Sequence, residues 1–169
     1  MSSPNSIDTA RLDGRRTLHF NTIDEALAEV GRLAEANGRG ELCCLGNWSA
    51  GQILGHLAAW VDYGFDGLPM KVPFFVRWLL KPMKRRMLYK PMKPGRRIPG
   101  VSGGTLGIAP MEFDDGLAAF RRTFSRLKTK SPQLPSALFG PMTHAEWTNI
   151  HLRHAELHLS YLQIGVAAG

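Results

Sequence analysis

Two histidines, His154 and His158, lie four residues apart in an apolar segment near the end of the sequence. A helix turns about 100° per residue, so these two side chains share one helix face. The same face carries four more residues: Trp147, His151, Tyr161 and Gly165. Unlike lysine or arginine, an imidazole is too short to reach water from among such large aromatic side chains. Two histidines with this spacing can bind one metal ion through two ring nitrogens.

A third metal ligand has to come from another part of the chain. His56, in the segment GQILGHLAAW, is the other histidine on an apolar helix. The alternative is that each buried histidine is neutral and hydrogen-bonds a carbonyl or hydroxyl group in the core. The pattern favours a divalent metal site at His56, His154 and His158, although no HExxH motif or cysteine–histidine cluster accompanies it. Three neutral ligands leave positions open for water or a thiol, whose pKa the metal would lower.

Several other side chains are expected at the edge of this site because they share helix faces with the ligands. These pocket candidates are Trp60, Tyr63, His151 and Tyr161. His151 is either a fourth ligand or a donor at the rim, and the rim is favoured. The tyrosines either donate to a bound ligand or only pack with the hydroxyl at the rim, and packing is favoured. No carboxylate lies on the inward faces, since Glu156 points away from His154, and a hydrolase would need a general base.

Four amphipathic helices are predicted to position these residues. Capping boxes mark three helix starts, at 22–25, 49–52 and 143–146, where a Ser or Thr is followed three residues later by Glu or Gln. Apolar periodicity predicts helices over residues 22–37, 49–64, 111–129 and 143–165. No segment alternates convincingly as a strand does. The predicted fold class is therefore all-α, a four-helix bundle in one domain over residues 1–169, with residues 1–18 as an N-terminal extension.

A long connection over residues 67–110 joins the second and third predicted helices. It carries ten of the 21 basic residues and no acidic residue, so the net charge of +7 belongs to this segment. It could pack as a cover through Phe74, Phe75, Trp78 and Tyr89, line a pocket for an anion, or bind nucleic acid or an anionic membrane. A cover is favoured, because most charged runs are solvated, and nucleic acid is disfavoured as a partner.

Bulk composition fits a globular protein of 169 residues, which is long enough to bury a core. The two cysteines, Cys43 and Cys44, are adjacent and cannot form a framework of disulfides. The first residues contain no apolar core of a secretory signal, and no run approaches eighteen apolar residues. These features predict a cytoplasmic protein with no transmembrane segment.

Two blocks of sequence resemble the DinB/YfiT-like superfamily of metal-dependent proteins. They are GNWSAGQILGHLA and FGPMTHAEWTNIHLRHAELHLSYL, and the resemblance extends over about residues 14–165, closest to a bacterial subfamily of unknown function. It implies a four-helix bundle with one long crossover. It also implies a metal held by one histidine of the second helix and two of the last, which match His56, His154 and His158. The chain departs from many relatives at Ser136–Ala137, where they have His-Pro, and at Leu157, where they have a further histidine.

The resemblance implies two classes of function. Some superfamily members use zinc or nickel to present a low-molecular-weight thiol to an electrophile, and others are hydrolases or isomerases. The first hypothesis is therefore a metal-dependent transferase or hydrolase acting on a small molecule. The second is a non-catalytic bundle whose metal site is structural or vestigial and which binds a partner or an anionic surface. Family bundles often pair, so a homodimer is expected under either hypothesis.

Overall fold

The structure, a computed structural model, describes residues 7–69, 78, 80–95 and 106–165 and is mainly helical. Four long helices provide most of the core: α1 (Ile23–Gly38), α2 (Ala50–Asp66), α4 (Phe113–Thr129) and α5 (His144–Leu159). A 3-10 turn at Lys81–Met83 leads into the short helix α3 (Lys84–Tyr89). Strand β1 (Leu42–Cys44) lies between α1 and α2 in sequence, and strand β2 (Leu162–Ile164) follows α5. No helix in these described ranges is long and apolar enough to cross a membrane.

The starts of the long helices agree with the sequence prediction to within two residues. Complete capping boxes form at Ser49 before α2 and at Thr143 before α5. The prediction of a third box was wrong in one detail. Thr22 accepts from the Glu25 amide, but the Glu25 carboxylate accepts from the Asn21 amide and not from that of Thr22. Each hydroxyl satisfies an amide that would otherwise have no partner in the first helical turn.

α2 is buried on most sides and runs parallel to α4. Near their starts the two backbones touch, because a Cβ atom on Gly51 would lie 2.2 Å from the Met111 carbonyl oxygen. Toward their ends, Arg126 forms ion pairs with Asp62 at 3.4 Å and Asp66 at 3.3 Å. Parallel neighbouring helices cannot be joined by a tight turn. The chain between them must return along the length of α2, about 25 Å for 17 residues.

The core of the described residues is one continuous apolar cluster to which all four long helices contribute. Its largest fully buried members include Phe120, Phe124, Leu33, Leu54 and Leu152. The rings of Phe120 and Phe124 stack with centroids 3.9 Å apart. α2 packs against both α4 and α5, and His56 on its inward side is buried. A histidine on α2 is therefore held in a rigid, dry environment.

The small sheet corrects two predictions, that the fold is purely α-helical and that the last helix continues to residue 165. β1 and β2 pair antiparallel, with Leu42 opposite Ile164 and Cys44 opposite Leu162. α5 ends at Leu159, where the Ser160 hydroxyl donates to the Leu157 carbonyl at 2.6 Å. These local bonds satisfy carbonyls at the helix end, and the following residues gain ladder partners in β1. Cys43 and Cys44 are exposed and unbridged.

The part of the basic connection that is described packs partly on the helices. Leu88 of α3 is buried where α3 packs against α5, and Lys84 pairs with Glu146 of α5 at 2.8 Å. These two contacts agree with the prediction that the connection packs over the helices as a cover. The prediction that its aromatic residues are packed was wrong for Trp78 and Tyr89, whose exposed fractions are 80% and 55%. Phe74 and Phe75 lie outside the described residues.

Candidate metal centre

Three histidines from two helices converge on one point. His56 of α2 and His154 and His158 of α5 each direct one ring nitrogen into a cluster whose ligand atoms all lie within 4.8 Å of one another. The Nε2 atoms of His56 and His154 are 3.3 Å apart. The His158 ring centroid lies 4.7 Å from that of His56 and 4.6 Å from that of His154. These are the three residues that the sequence spacing selected.

The orientation of His56 is fixed by the backbone of the connection. Its Nδ1 lies 3.0 Å from the carbonyl oxygen of Leu106, which can only accept, so Nδ1 carries the proton. The Nε2 of His56 then has a free lone pair directed at His154. Metal-binding histidines commonly have their second ring nitrogen held by a carbonyl in this way. His56 is almost completely buried, while His154 and His158 retain partial exposure.

Burial keeps all three imidazoles neutral near pH 7. It lowers the pKa of His56 to about 4, although the hydrogen bond to Leu106 acts in the opposite direction. Burial also lowers the pKa values of His154 and His158, and repulsion from neighbouring positive charge adds to this effect. No carboxylate among the described residues opposes these shifts. Since a metal binds the neutral imidazole, these histidines are in the protonation state that a cation requires.

The geometry can be tested against a divalent ion. Ligand nitrogens at about 2.0–2.1 Å from a tetrahedral zinc ion are about 3.3–3.4 Å apart. The separation of 3.3 Å between the Nε2 atoms of His56 and His154 matches this value, and all the ligand atoms of the three histidines lie within 4.8 Å of one another. Three imidazole nitrogens, one of them with its lone pair oriented by a hydrogen bond, form a donor set that could hold a metal ion. The residues therefore fit such an ion.

Aromatic side chains surround the cluster. Trp48 stacks on the His158 ring, with centroids 5.7 Å apart and planes 9° apart, and it also contacts His56. Trp60 lies edge-on to His154 at 5.7 Å. Tyr63 packs on Trp60 at 5.9 Å and so lies one side chain further out. These aromatic rings form side walls around the three histidines.

His151 and Tyr161 take other positions. His151 is buried and stacks on Trp147 with centroids 5.8 Å apart, outside the convergent set, and its Nε2 has no hydrogen-bond partner among the described residues. Burial lowers its pKa to about 3. Tyr161 follows α5, contrary to the predicted helix boundary, and its hydroxyl donates to the Thr9 carbonyl at 3.0 Å.

The remaining polar groups of α5 serve the fold. The carboxylate of Glu156 accepts from the Phe20 amide at 2.6 Å and pairs with Arg153 at 2.7 Å, on the side of α5 away from the histidine cluster. Both side chains are buried, and burial raises the pKa of Glu156. His19 is exposed beside this pair, and the exposed His144 hydrogen-bonds the Leu127 carbonyl.

Two residues near the site were not selected by the sequence analysis. Trp48 could have been found, because it immediately precedes the cap of α2 and so lies at the same helix end as Gln52 and His56. Arg15, which contacts the pocket candidate Tyr161, had no local signal, since its hydrogen bond to the Tyr161 hydroxyl joins residues 146 positions apart.

Comparison with known proteins gives one result. Residues 12–164 match the family model described as a protein of unknown function, DUF1569. No curated protein and no solved structure matched the chain. The matched region includes all four long helices and the three histidines. The chain therefore belongs to the DUF1569 family, whose function is unknown.

Proposed function

We propose that the protein is metal-dependent and that His56, His154 and His158 together hold one divalent cation, zinc or nickel. The observation that carries the proposal is the convergence of three neutral ring nitrogens within 4.8 Å. Without a cation, this arrangement buries one fixed lone pair beside two further imidazoles. With a cation, every lone pair has a partner, so the desolvation of the three rings is offset.

We further propose that the fold is a four-helix bundle of the DinB/YfiT-like superfamily with one long crossover. The parallel arrangement of α2 and α4 supports this, because it demands a long return between them. One domain is expected from the chain length and a cytoplasmic location from the sequence features given above. A homodimer is expected because bundles of the superfamily often pair.

The chemistry that this site supports best is transfer involving a low-molecular-weight thiol. A bound divalent ion would lower the pKa of a thiol or of water in an open position. The residues around the site favour one of these two reactions, thiol transfer or hydrolysis, over the other. Hydrolysis needs a general base beside the metal-bound water. No carboxylate among the described residues affects the pKa of any of the three histidines, so no described carboxylate is placed as such a base. A thiol, with an ordinary pKa of about 8.5 against about 15.7 for water, would release its proton to solvent on binding a cation without such a base, so transfer is favoured over hydrolysis.

The chain's own residues would then position and shield the reaction. Leu106 fixes the ring of His56, and Trp48 fixes the ring of His158 by stacking. Trp48 and Trp60 would keep out water, which would otherwise compete with the thiol for the electrophile. The alternative is that the protein has this metal site but catalyses no reaction. The metal would then be a structural element of the fold.

The test is metal content of the purified protein and of matched variants. We expect the double variant His154→Ala, His158→Ala to bind at least about tenfold less zinc or nickel than the wild type, because two of three ligands are lost. The variant His144→Ala removes an exposed histidine outside the cluster and should bind as the wild type does.

Elemental analysis after dialysis against zinc or nickel gives the measurement, and circular dichroism checks the fold. Equal metal content in the double variant and the wild type would refute the ligand assignment. Unfolding of the double variant, together with unfolding of the wild type by a chelator, would show that the metal is structural, as the alternative requires.

A further inference from the structure

The short helix α3 is anchored on α5 by its inner side. Leu88 is buried where the two helices pack together. At the start of α3, the Lys84 ammonium pairs with the Glu146 carboxylate at 2.8 Å and donates to the Pro141 carbonyl at 3.3 Å. An apolar contact near one end of the helix and two polar contacts at the other fix its orientation. The opposite side of α3 is therefore presented to solvent in a defined position.

The outer side of α3 carries two arginines and a tyrosine. Arg85 and Arg86 precede Tyr89 by four and three residues, so the three side chains are neighbours on the helix surface. All three are exposed, with 55% of the surface of Tyr89 open to solvent. We call these three residues the α3 face.

The α3 face lies within a run of unpaired positive charge. The whole connection over residues 67–110 contains no acidic residue. Lys84 has its partner in Glu146, but the other basic residues of 80–95 are exposed and pair with no carboxylate among the described residues. These residues are Lys81, Arg85, Arg86, Lys90 and Lys93. Their like charges repel one another, and an anionic surface would relieve this repulsion.

Apolar side chains are interspersed with these charges. Trp78, three residues before Lys81, is 80% exposed. Among the Phe, Trp and Tyr residues that the structure describes, only Trp78 and Tyr89 are exposed. Four flexible apolar side chains of the same segment are partly exposed: Leu80, Met83, Met87 and Met92. Exposed apolar groups that are rimmed by polar residues commonly mark an interaction site.

Three kinds of partner could meet this surface, and they differ in what they would cover. Nucleic acid would take up the charges and stack on the aromatic rings, but it offers no apolar volume for the leucine and the methionines. A second copy of the chain, related by a twofold axis, would bring the same five unpaired bases face to face. An anionic phospholipid bilayer meets both requirements. Its headgroups attract lysine and arginine, and tryptophan, tyrosine and apolar side chains partition at the boundary below the headgroups.

We propose that the α3 face, with Trp78 and the neighbouring lysines, binds the surface of a membrane that contains anionic phospholipids. α3 has only six residues, so it would lie along the headgroups and not cross the bilayer. Trp78 enters the interface, and Arg85 and Arg86 contact lipid phosphates. Leu88 stays buried and keeps α3 on α5. The proposal does not depend on the metal site.

The test is binding of the full chain to phospholipid vesicles, measured by sedimentation. One set of vesicles contains phosphatidylcholine alone, and the other also contains about 30% phosphatidylserine, which gives the surface a negative potential. We expect the wild type to bind the anionic vesicles at least about tenfold more tightly. Most of this preference should be lost between about 50 mM and about 300 mM salt, because salt screens the attraction.

The double variant Arg85→Gln, Arg86→Gln removes two charges from the α3 face. Each basic residue near an anionic surface contributes about fivefold to the affinity, so we expect binding to the anionic vesicles to weaken at least about tenfold. The matched control is Arg121→Gln, Lys130→Gln, which removes two charges from exposed residues on and beside α4. It should change the affinity by less than about twofold. Circular dichroism of each variant checks the fold.

Trp78 supplies a second readout, which does not depend on charge. It is the exposed residue among the four tryptophans, so its fluorescence should respond most when an apolar phase covers the surface. We expect the emission to shift to shorter wavelength on anionic vesicles. The shift should be absent in Trp78→Phe, which keeps an aromatic ring at this position.

Several results would overturn the proposal. They are equal binding to both kinds of vesicle, an equal loss in the two double variants, and an emission that does not shift or that shifts equally in Trp78→Phe. Salt-sensitive binding of the wild type to generic DNA, without binding to anionic vesicles, would assign the α3 face to nucleic acid instead. A dimer in sedimentation velocity that Trp78→Ala dissociates, with the vesicles left unbound, would assign it to a second copy of the chain.

Discussion

The close approach of α2 and α4 makes Gly51 a sensitive position. A Cβ atom there would lie 2.2 Å from the Met111 carbonyl oxygen and 2.5 Å from that of Glu112. Both obstacles are backbone atoms, so no side-chain rotation can relieve them. An ordinary contact needs about 3.5 Å, and Gly51→Ala therefore forces the starts of the two helices apart by about 1 Å.

The cost follows from the contacts that this movement loosens. A gap of 0.5–1 Å removes about a quarter to a half of the dispersion energy of each facing pair, and overpacking of this kind costs about 1–3 kcal/mol or more. Alanine returns at most about 1 kcal/mol through helix propensity. Because both obstacles are backbone atoms, the upper end of this cost applies, about 3 kcal/mol, which leaves a net loss of about 2 kcal/mol. For a chain of this length 1 kcal/mol corresponds to about 2–4 °C, so we expect the melting temperature to fall by about 4–8 °C.

Gly31 provides the matched control, because it lies inside α1 and a Cβ there would meet nothing within 4 Å. Gly31→Ala should raise the melting temperature by about 2–4 °C, since only the propensity gain remains. Circular dichroism melts of the two variants and the wild type give the measurement. We also expect Gly51→Ala to bind zinc more weakly, because His56 follows on the same helix. A melting temperature for Gly51→Ala equal to or above that of the wild type would refute the close backbone contact.

Three other predictions concern pH, capping and the basic connection. Below pH 6.5 His151 is protonated in the unfolded chain, but in the folded protein, where its pKa is about 3, it stays neutral. The free energy of unfolding therefore decreases as the pH is lowered. Between pH 7 and pH 5 the free energy of unfolding should therefore fall by about 2 kcal/mol less in His151→Phe, which keeps a ring beside Trp147, than in the wild type. Denaturant unfolding with chelator present measures this difference, and equal decreases in the two proteins would contradict the prediction. Thr143→Ala removes the cap of α5 and should lower the unfolding free energy by about 1 kcal/mol, measured in the same way; no change would show that the cap is dispensable. Titration with generic DNA at two salt concentrations should show no tight binding; salt-sensitive binding that Arg85→Gln, Arg86→Gln abolishes would make the connection a nucleic-acid surface.

Much of the helical structure and the choice of site residues could be predicted from the sequence. The capping residues at Ser49 and Thr143 begin helices by local hydrogen bonds, which depend only on residues three positions apart. The spacing of His154 and His158 puts them on one face of any helix that contains them. His56 was selected because its helix is apolar almost all round and so had to be buried.

Other features depended on contacts between residues that are far apart in the chain. The last helix was predicted to reach residue 165, since its periodicity continues, but Leu162–Ile164 pair with a strand about 120 residues earlier. Local propensity contains no information about the hydrogen bonds that a distant strand provides. The 3.3 Å separation of the His56 and His154 nitrogens likewise depends on how closely α2 packs against α5.

The sequence by itself determined where the long helices begin and that His56, His151, His154 and His158 face inward, because both follow from local spacing. Only the tertiary structure decided that His56, His154 and His158 meet at one point without His151, and that Leu106 fixes the tautomer of His56. Each of these depends on groups 50 or more residues apart. Their meeting is fixed by the packing of the whole core, through the closing of long loops, and not by any segment alone.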